Sequence, residues 1–147
     1  MRVSLKWLQD YVDVTVSAEE LGRLLTMAGI EVDAIHPVGE AWNRAITTGF
    51  ADANPYDGID AGKINLWAYD NQHASPHGYY LEALVIFGSV TGRDPRSIGE
   101  NECSAFELGF SLHEVRALQQ VAYDQLTSAG TTLTEAGSPP PRRLRCR

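Results

Sequence analysis

The sequence predicts a mixed α/β fold in which helices predominate, on three observations. Serine residues suited to capping helices stand at Ser17, Ser75 and Ser111, each ahead of apolar residues at helical spacing. Two short segments, IEVDAI at 30–35 and KINLWAY at 63–69, have the composition of strands. From residue 130 onward the chain has no apolar period and contains three consecutive prolines, which predicts a disordered tail.

The N-terminal elements are predicted to form a small helical hairpin followed by a strand. A first helix is expected over 4–12. The second opens with an S-x-x-E capping box, Ser17 with Glu20, carries an apolar stripe and stops at Gly29. The stripe consists of Leu21, Leu24, Leu25 and Ala28.

Three further helices are predicted downstream. A short one spans 40–48, before a loop rich in Asn, Pro, Asp and Gly. A longer one begins with Pro76 at its first position, ends near Gly92, and is apolar nearly all round, as expected for the centre of a core. Between 93 and 109 we expect loop with one helical turn. The last helix opens with a capping box at Ser111 and ends before Gly130.

Length, net charge and the distribution of apolar residues limit the classes of function that the chain can have. A chain of 147 residues is long enough for one ordinary core. Its net charge of -7 argues against a nucleic-acid surface, because phosphate binding depends on clustered Lys and Arg. No run reaches the length of a membrane span and no signal peptide is visible, so we expect a cytoplasmic protein that binds no membrane.

Asp70 and His73 are the candidate catalytic residues. A carboxylate three residues before a histidine, on a loop ahead of a helix, can fold back onto the imidazole and fix its tautomer, so that the other ring nitrogen acts as a general base. A solvated loop acid beside a histidine near a helix cap is the alternative. A third interpretation adds His77 and makes the cluster a zinc or iron site, although a helix N-terminus repels cations.

The stretch 37–126 resembles the C-terminal part of SGNH/GDSL-type hydrolases, in PVGEAWNRA, in NPYDGIDAGKINLWAYDNQHASPHGYYLEALVIFGSVTGRDP and in SAFELGFSLHEVRALQQVAYDQL. The resemblance implies a catalytic acid at Asp70, a general base at His73, a small ester as substrate, and a helix-rich fragment of a three-layer flavodoxin-like fold. None of the serines lies in a G-D-S or G-x-S-x-G setting. Because the parts of a triad act as one unit, we expect negligible esterase activity.

The N-terminal stretch resembles a different family. SLKWLQDYVD and LLTMAGIEVD are similar to the start of the bacterial phenylalanyl-tRNA synthetase β subunit. Since the catalytic site of that synthetase lies in its α subunit, the resemblance implies no catalytic residue here, but a synthetase-like protein as partner. The similarity is expected to stop near His36.

Two hypotheses for function follow. The first is a chimeric chain, formed by recombination or by a mispredicted gene, with a synthetase-like leader at 1–36, a truncated and inactive hydrolase fragment at 37–129 and a disordered tail at 130–147. The alternative is a non-catalytic interaction module of the synthetase β type. No cofactor or metal is expected in either case. Self-association is expected, because a hydrolase fragment without its first strands would expose a sheet edge.

Overall fold

The computed structural model describes residues 5–9, 11–30, 32 and 34–134. These residues divide into two compact units, with the boundary between Ile35 and His36. We call them the N-terminal unit and the C-terminal unit. No helix among the described residues has both the length and the apolar character needed to cross a bilayer.

The N-terminal unit contains the two predicted helices. The first, α1, spans Leu5–Gln9 and is shorter than expected. The second, α2, spans Ala18–Met27, and the Ser17 hydroxyl accepts a hydrogen bond from the Glu20 N–H at 3.2 Å. The Glu20 carboxylate forms an ion pair with Arg23, one turn along the helix, with Oε1 2.5 Å from Nη2. Gly29 follows the helix with a φ of 88°, a conformation that favours glycine. The predicted strand at 30–35 falls partly outside the described residues, since positions 31 and 33 are not among them.

Three helices build the C-terminal unit. They are α3, Val38–Thr47, α4, Pro76–Thr91, and α6, Leu112–Ser128. Both α3 and α6 pack against α4, which makes α4 the centre of the core as predicted. Between α4 and α6 lie a 3-10 helix, Pro95–Ile98, and a short α5, Cys103–Glu107, where the sequence predicts a single helical turn. The core residues with essentially no exposed surface include Ala41, Ala45, Leu66, Leu81, Val85, Leu118, Ala122 and Leu126.

Local chemistry sets the ends of α4 and α6. The Ser75 hydroxyl accepts from the Gly78 N–H, Pro76 takes the first position, and Gly92 ends α4 in the left-handed conformation with a φ of 66°. At α6 the Ser111 hydroxyl accepts from the Glu114 N–H while the Glu114 carboxylate accepts from the Ser111 N–H, a complete capping box. These boundaries confirm the helix predictions.

Gly78 lies where α4 meets the chain before it. A Cβ at this position would stand 2.5 Å from the Leu66 carbonyl oxygen and 2.6 Å from Cζ2 of Trp42. Trp42 in turn meets Trp67 edge-on, with ring centroids 4.9 Å apart. The glycine therefore allows the 65–67 segment and the indole of Trp42 to approach the helix backbone.

Helix-rich architecture is confirmed, but the described residues form no sheet. Segment 63–69 makes only isolated bridges, Ala51 with Ile64 and Trp67 with Ala74. Neither bridge extends into a strand pair. After Ala74 the chain reaches Ser75, the N-cap of α4, and after Asp52 it enters a loop. The three-layer, flavodoxin-like part of the prediction therefore finds no support.

The predicted tail is described only over its first residues. Within that stretch, the Thr134 N–H donates to the Gly92 carbonyl at 2.8 Å and the Asp94 N–H donates to the Thr134 carbonyl at 3.3 Å. Residues 135–147, which carry the rest of the disorder prediction, lie outside the described part of the chain.

Candidate functional site

A groove lies in the N-terminal unit, between α2 and the segment at 32–35. Its volume is about 430 Å³. Gly22 is the buried position on this side of α2, and a Cβ there would lie 3.3 Å from Cδ1 of Ile35 and 3.5 Å from Cγ1 of Val32. A glycine within the helix thus allows the 32–35 segment to pack closely against it. Glu19, Arg23 and Met27 also line the groove.

The N-terminal unit exposes several large apolar side chains, of which Met27 and Ile35 line the groove. Met27 is 73% exposed and Ile30 57%. Leu24, a member of the predicted apolar stripe, is 42% exposed, and Ile35 is exposed to a similar degree. Large apolar side chains that remain exposed are typical of a surface that binds another protein.

The Asp70 carboxylate and the His73 ring come together as the sequence predicts. Asp70 Oδ2 lies 2.6 Å from His73 Nδ1. The other oxygen, Oδ1, accepts from the main-chain N–H groups of Gln72 and His73. Three interactions hold the pKa of Asp70 well below its usual range. The hydrogen bond from the His73 N–H lowers the pKa most, followed by those of the His73 ring and the Gln72 N–H. The loop reverses at Asn71, whose φ is 56°.

The histidine of this pair is exposed, and the described residues offer it no nucleophile. The His73 side chain is 71% exposed. Its Nε2 atom has no hydrogen-bond partner within the described part of the chain, where the ring bonds only through Nδ1. Ser75, the nearest serine in sequence, donates its hydroxyl to the Asn65 carbonyl at 2.6 Å and caps α4, so that hydroxyl is already committed. The arrangement fixes the shape of the loop, and the carboxylate orients the imidazole through Nδ1.

His77, the third member of the proposed metal cluster, faces a different element. Its ring stacks on Phe110, with centroids 4.1 Å apart and planes 13° from parallel. Its Nε2 lies 3.2 Å from Oε1 of Glu114, close enough for an ion pair, although the angles are not those of a hydrogen bond. No group of three or more His, Cys, Asp or Glu side chains is placed to hold a metal ion in the part of the chain that is described.

Comparison with known proteins gives relatives that match part of the chain. A protein of Legionella pneumophila is 38% identical over 132 residues, covering 77% of this chain. One of a Synechococcus species is 43% identical over 94 residues, covering 63%. One of Syntrophus aciditrophicus is 48% identical over 46 residues, covering 31%. All three are phenylalanine–tRNA ligase beta subunits.

The chain matches only a small part of each relative. The chain covers 16%, 10% and 6% of these three ligase subunits, in the order given. It spans about a sixth or less of the length of these relatives. No protein-family profile matches the chain, and no solved structure is significantly similar to it.

These findings correct the leading sequence hypothesis. The assignment to a truncated SGNH/GDSL hydrolase is wrong, because the relatives covering most of the chain are ligase beta subunits. The similarity to these subunits does not end near His36, since a match over 77% of the chain extends far beyond its first quarter. The expectation of a small ester substrate rested on the hydrolase assignment and is no longer supported. The exclusion of nucleic acid rested on net charge and gains no support from relatives named for tRNA.

Sequence reasoning did not identify the groove. A signal was available in Gly22, since a glycine inside an otherwise strong helical pattern often marks a close approach of another segment. The identity of that segment could not be read locally, because Val32 and Ile35 lie on the far side of the turn at Gly29.

Proposed function

We propose that this chain is a non-catalytic interaction module of the phenylalanine–tRNA ligase beta-subunit type, which docks a synthetase-like protein through its N-terminal unit. The observation that carries the proposal is the similarity to ligase beta subunits over 77% of the chain. Because these relatives are named as subunits, and subunits work in assemblies, a binding role follows more directly than a catalytic one.

The docking surface is the groove with its apolar surroundings. Met27 and Ile35 present exposed, large apolar side chains at a concave region of about 430 Å³, and the N-terminal unit also exposes Leu24 and Ile30. Burying such side chains stabilises an interface by about 25 cal/mol per Å² of apolar area, which gives these positions a reason to be apolar on an exposed surface. Apolar residues that fill a partner's pocket commonly contribute most of the binding energy.

Of the two charged residues that line the groove, Arg23 is already paired, so a partner meets the Glu19 carboxylate beside apolar side chains. Arg23 is engaged by Glu20 and lies with Nη1 3.0 Å from Sδ of Met27. Its charge is therefore balanced before any partner arrives, and the guanidinium lies along the methionine. A partner helix or strand would then need apolar residues to face Met27 and Ile35.

A non-catalytic role agrees with the geometry of the Asp70–His73 loop. The imidazole is exposed at 71%, and the adjacent serine hydroxyl is committed to capping α4. A base without a nucleophile and without oxyanion donors contributes little to acyl transfer. We therefore assign Asp70 and His73 to the shape of their loop.

The experiment measures binding of the full chain to a purified bacterial phenylalanine–tRNA ligase α subunit by biolayer interferometry. Met27→Lys is the test variant and Val90→Lys the matched control, because both residues are about equally exposed, at 73% and 69%, and both lie in the last turn of a helix. A lysine is compatible with the last turn in either case. We expect Met27→Lys to weaken binding at least about tenfold, equivalent to about 1.4 kcal/mol, and Val90→Lys to leave it unchanged. Absence of binding by the parent chain, or an equal effect of the two variants, would refute the proposal.

A further inference from the structure

The loop between Ala51 and Ile64 is fastened at its base by one buried carboxylate. Asp52 is 5% exposed, and its two oxygens accept the main-chain N–H groups of Asn54 and Asp60, each at 2.9 Å. The Asp52 N–H also donates to the Ile64 carbonyl at 2.9 Å. These hydrogen bonds hold both ends of the loop and leave the residues between them projecting into solvent.

Asp57 and Gly58 form the projecting part of this loop. Both are exposed, and the preceding residue, Tyr56, is 77% exposed. Gly58 has a φ of 97°, and no atom lies within 4 Å of the place where a Cβ would stand. Among the described residues, neither the Asp57 carboxylate nor the Gly58 N–H makes a hydrogen bond. The carboxyl carbon and the next amide nitrogen are therefore free to approach each other.

Asp57 differs from the other described aspartates in two respects together. The carboxylates of Asp52, Asp60, Asp70, Asp94 and Asp124 are each engaged in hydrogen bonds or ion pairs. Asp13 carries no such bond but is followed by Val14, whose branched side chain shields its amide nitrogen. Among the described residues, Asp57 alone is followed by glycine, the residue that leaves the amide nitrogen least hindered.

We propose that Asp57 is a site of isoaspartate formation, and that the modified residue is recognised by a methyltransferase specific for isoaspartyl carboxylates. The Gly58 amide nitrogen attacks Cγ of Asp57. A C–N bond forms, the carboxyl C–OH bond breaks, and one water molecule leaves with the amide proton. The resulting succinimide then takes up one water at the main-chain carbonyl carbon of Asp57, and the original peptide C–N bond breaks. The net composition is unchanged, and the main chain now passes through the side-chain carbon.

The modification lengthens the loop between its two fastened ends. One additional carbon enters the main chain after Asn54 and before Asp60, whose N–H groups both bind Asp52. A free α-carboxylate then projects from the loop, and Tyr56 and Ile59 must shift to accommodate it. The change is confined to this loop because its base is held by Ile64 and Phe50, whose main-chain atoms lie outside the altered segment.

The test ages the full chain at neutral pH and 37 °C and then transfers labelled methyl groups from S-adenosylmethionine with a purified isoaspartyl methyltransferase. Trypsin releases residues 45–63 as one peptide, which contains Asp52, Asp57 and Asp60, so two aspartates serve as internal controls. Fragmentation by electron transfer locates the isoaspartate within it. We expect label to accumulate at position 57 with at least a tenfold excess over positions 52 and 60.

Two variants make the result decisive. Asp57→Glu retains the charge but requires a larger ring for the same reaction, so the label on this peptide should fall to background. Asp60→Glu, at a position followed by alanine, should leave labelling at Asp57 unchanged. The proposal is overturned if the aged parent chain carries no label at Asp57, or if Asp52 and Asp60 accumulate as much.

Discussion

Asp70 and His73 pair through Oδ2 and Nδ1 at 2.6 Å, and the same carboxylate accepts the main-chain N–H of His73 through its other oxygen. One side chain thus holds both the ring and the backbone of a residue three positions away. This doubled attachment gives the loop its shape and gives the carboxylate its unusual acidity.

Replacing Asp70 with asparagine should destabilise the protein at neutral pH and progressively less in acid. The pKa of Asp70 is held well below its unfolded value, which is about 3.9 for an aspartate. A carboxyl group with a lowered pKa in the folded state stabilises that state above its unfolded pKa, and this contribution disappears as the pH falls through the folded value. Urea midpoints measured from pH 7 down to pH 2 should therefore show a gap between wild type and Asp70→Asn that narrows progressively below about pH 4. Asp13→Asn is the control, since that carboxylate has no hydrogen bond or ion pair among the described residues and is followed by valine rather than glycine. A constant gap at every pH would contradict the assignment.

Removal of the His73 imidazole should not change ester hydrolysis. Its Nε2 contacts no hydroxyl among the described residues, and the adjacent Ser75 hydroxyl is bound to the Asn65 carbonyl. Hydrolysis of a short-chain nitrophenyl ester by wild type, by His73→Ala and by His113→Ala should proceed at the same slow rate, the last variant accounting for any effect of a histidine elsewhere. Rapid turnover that His73→Ala alone abolishes would show that the loop is catalytic.

Alanine at Gly78 should destabilise the C-terminal unit even though alanine favours helix. The new Cβ would meet the Leu66 carbonyl oxygen at 2.5 Å and the Trp42 ring at 2.6 Å, and neither can move without disturbing the core. Overpacking of this kind costs about 1–3 kcal/mol, whereas alanine gains at most about 1 kcal/mol over glycine inside a helix. Urea unfolding followed by tryptophan fluorescence measures the difference.

The control for this substitution is Gly39→Ala in α3. Gly39 is also helical, and no atom lies within 4 Å of its Cβ position. Helix propensity alone then acts, so we expect a small stabilisation of up to about 1 kcal/mol. If the two alanine variants change the urea midpoint in the same direction, the close approach at Gly78 is not what requires glycine there.

The sequence by itself determined the features that depend on a few neighbouring residues. The Ser75 and Ser111 caps, the stop at Gly92 and the pairing of Asp70 with His73 all join groups within four residues of one another or rest on one residue's own backbone preference. Hydrogen bonds over so short a separation form with little loss of chain entropy, so local sequence specifies them.

Tertiary structure decided which apolar residues are covered. Segment 63–69 has the composition of a strand, yet Ile64 and Leu66 are buried in a core of helices and meet other segments only in isolated bridges. Leu24 fits an apolar helix stripe and is nevertheless 42% exposed. A local pattern states that a face is apolar but not what will cover it, because the covering residues come from distant parts of the chain or from another protein. The groove beside α2 depends on how Val32 and Ile35, after the turn at Gly29, pack against the helix, which the pattern within the helix does not specify.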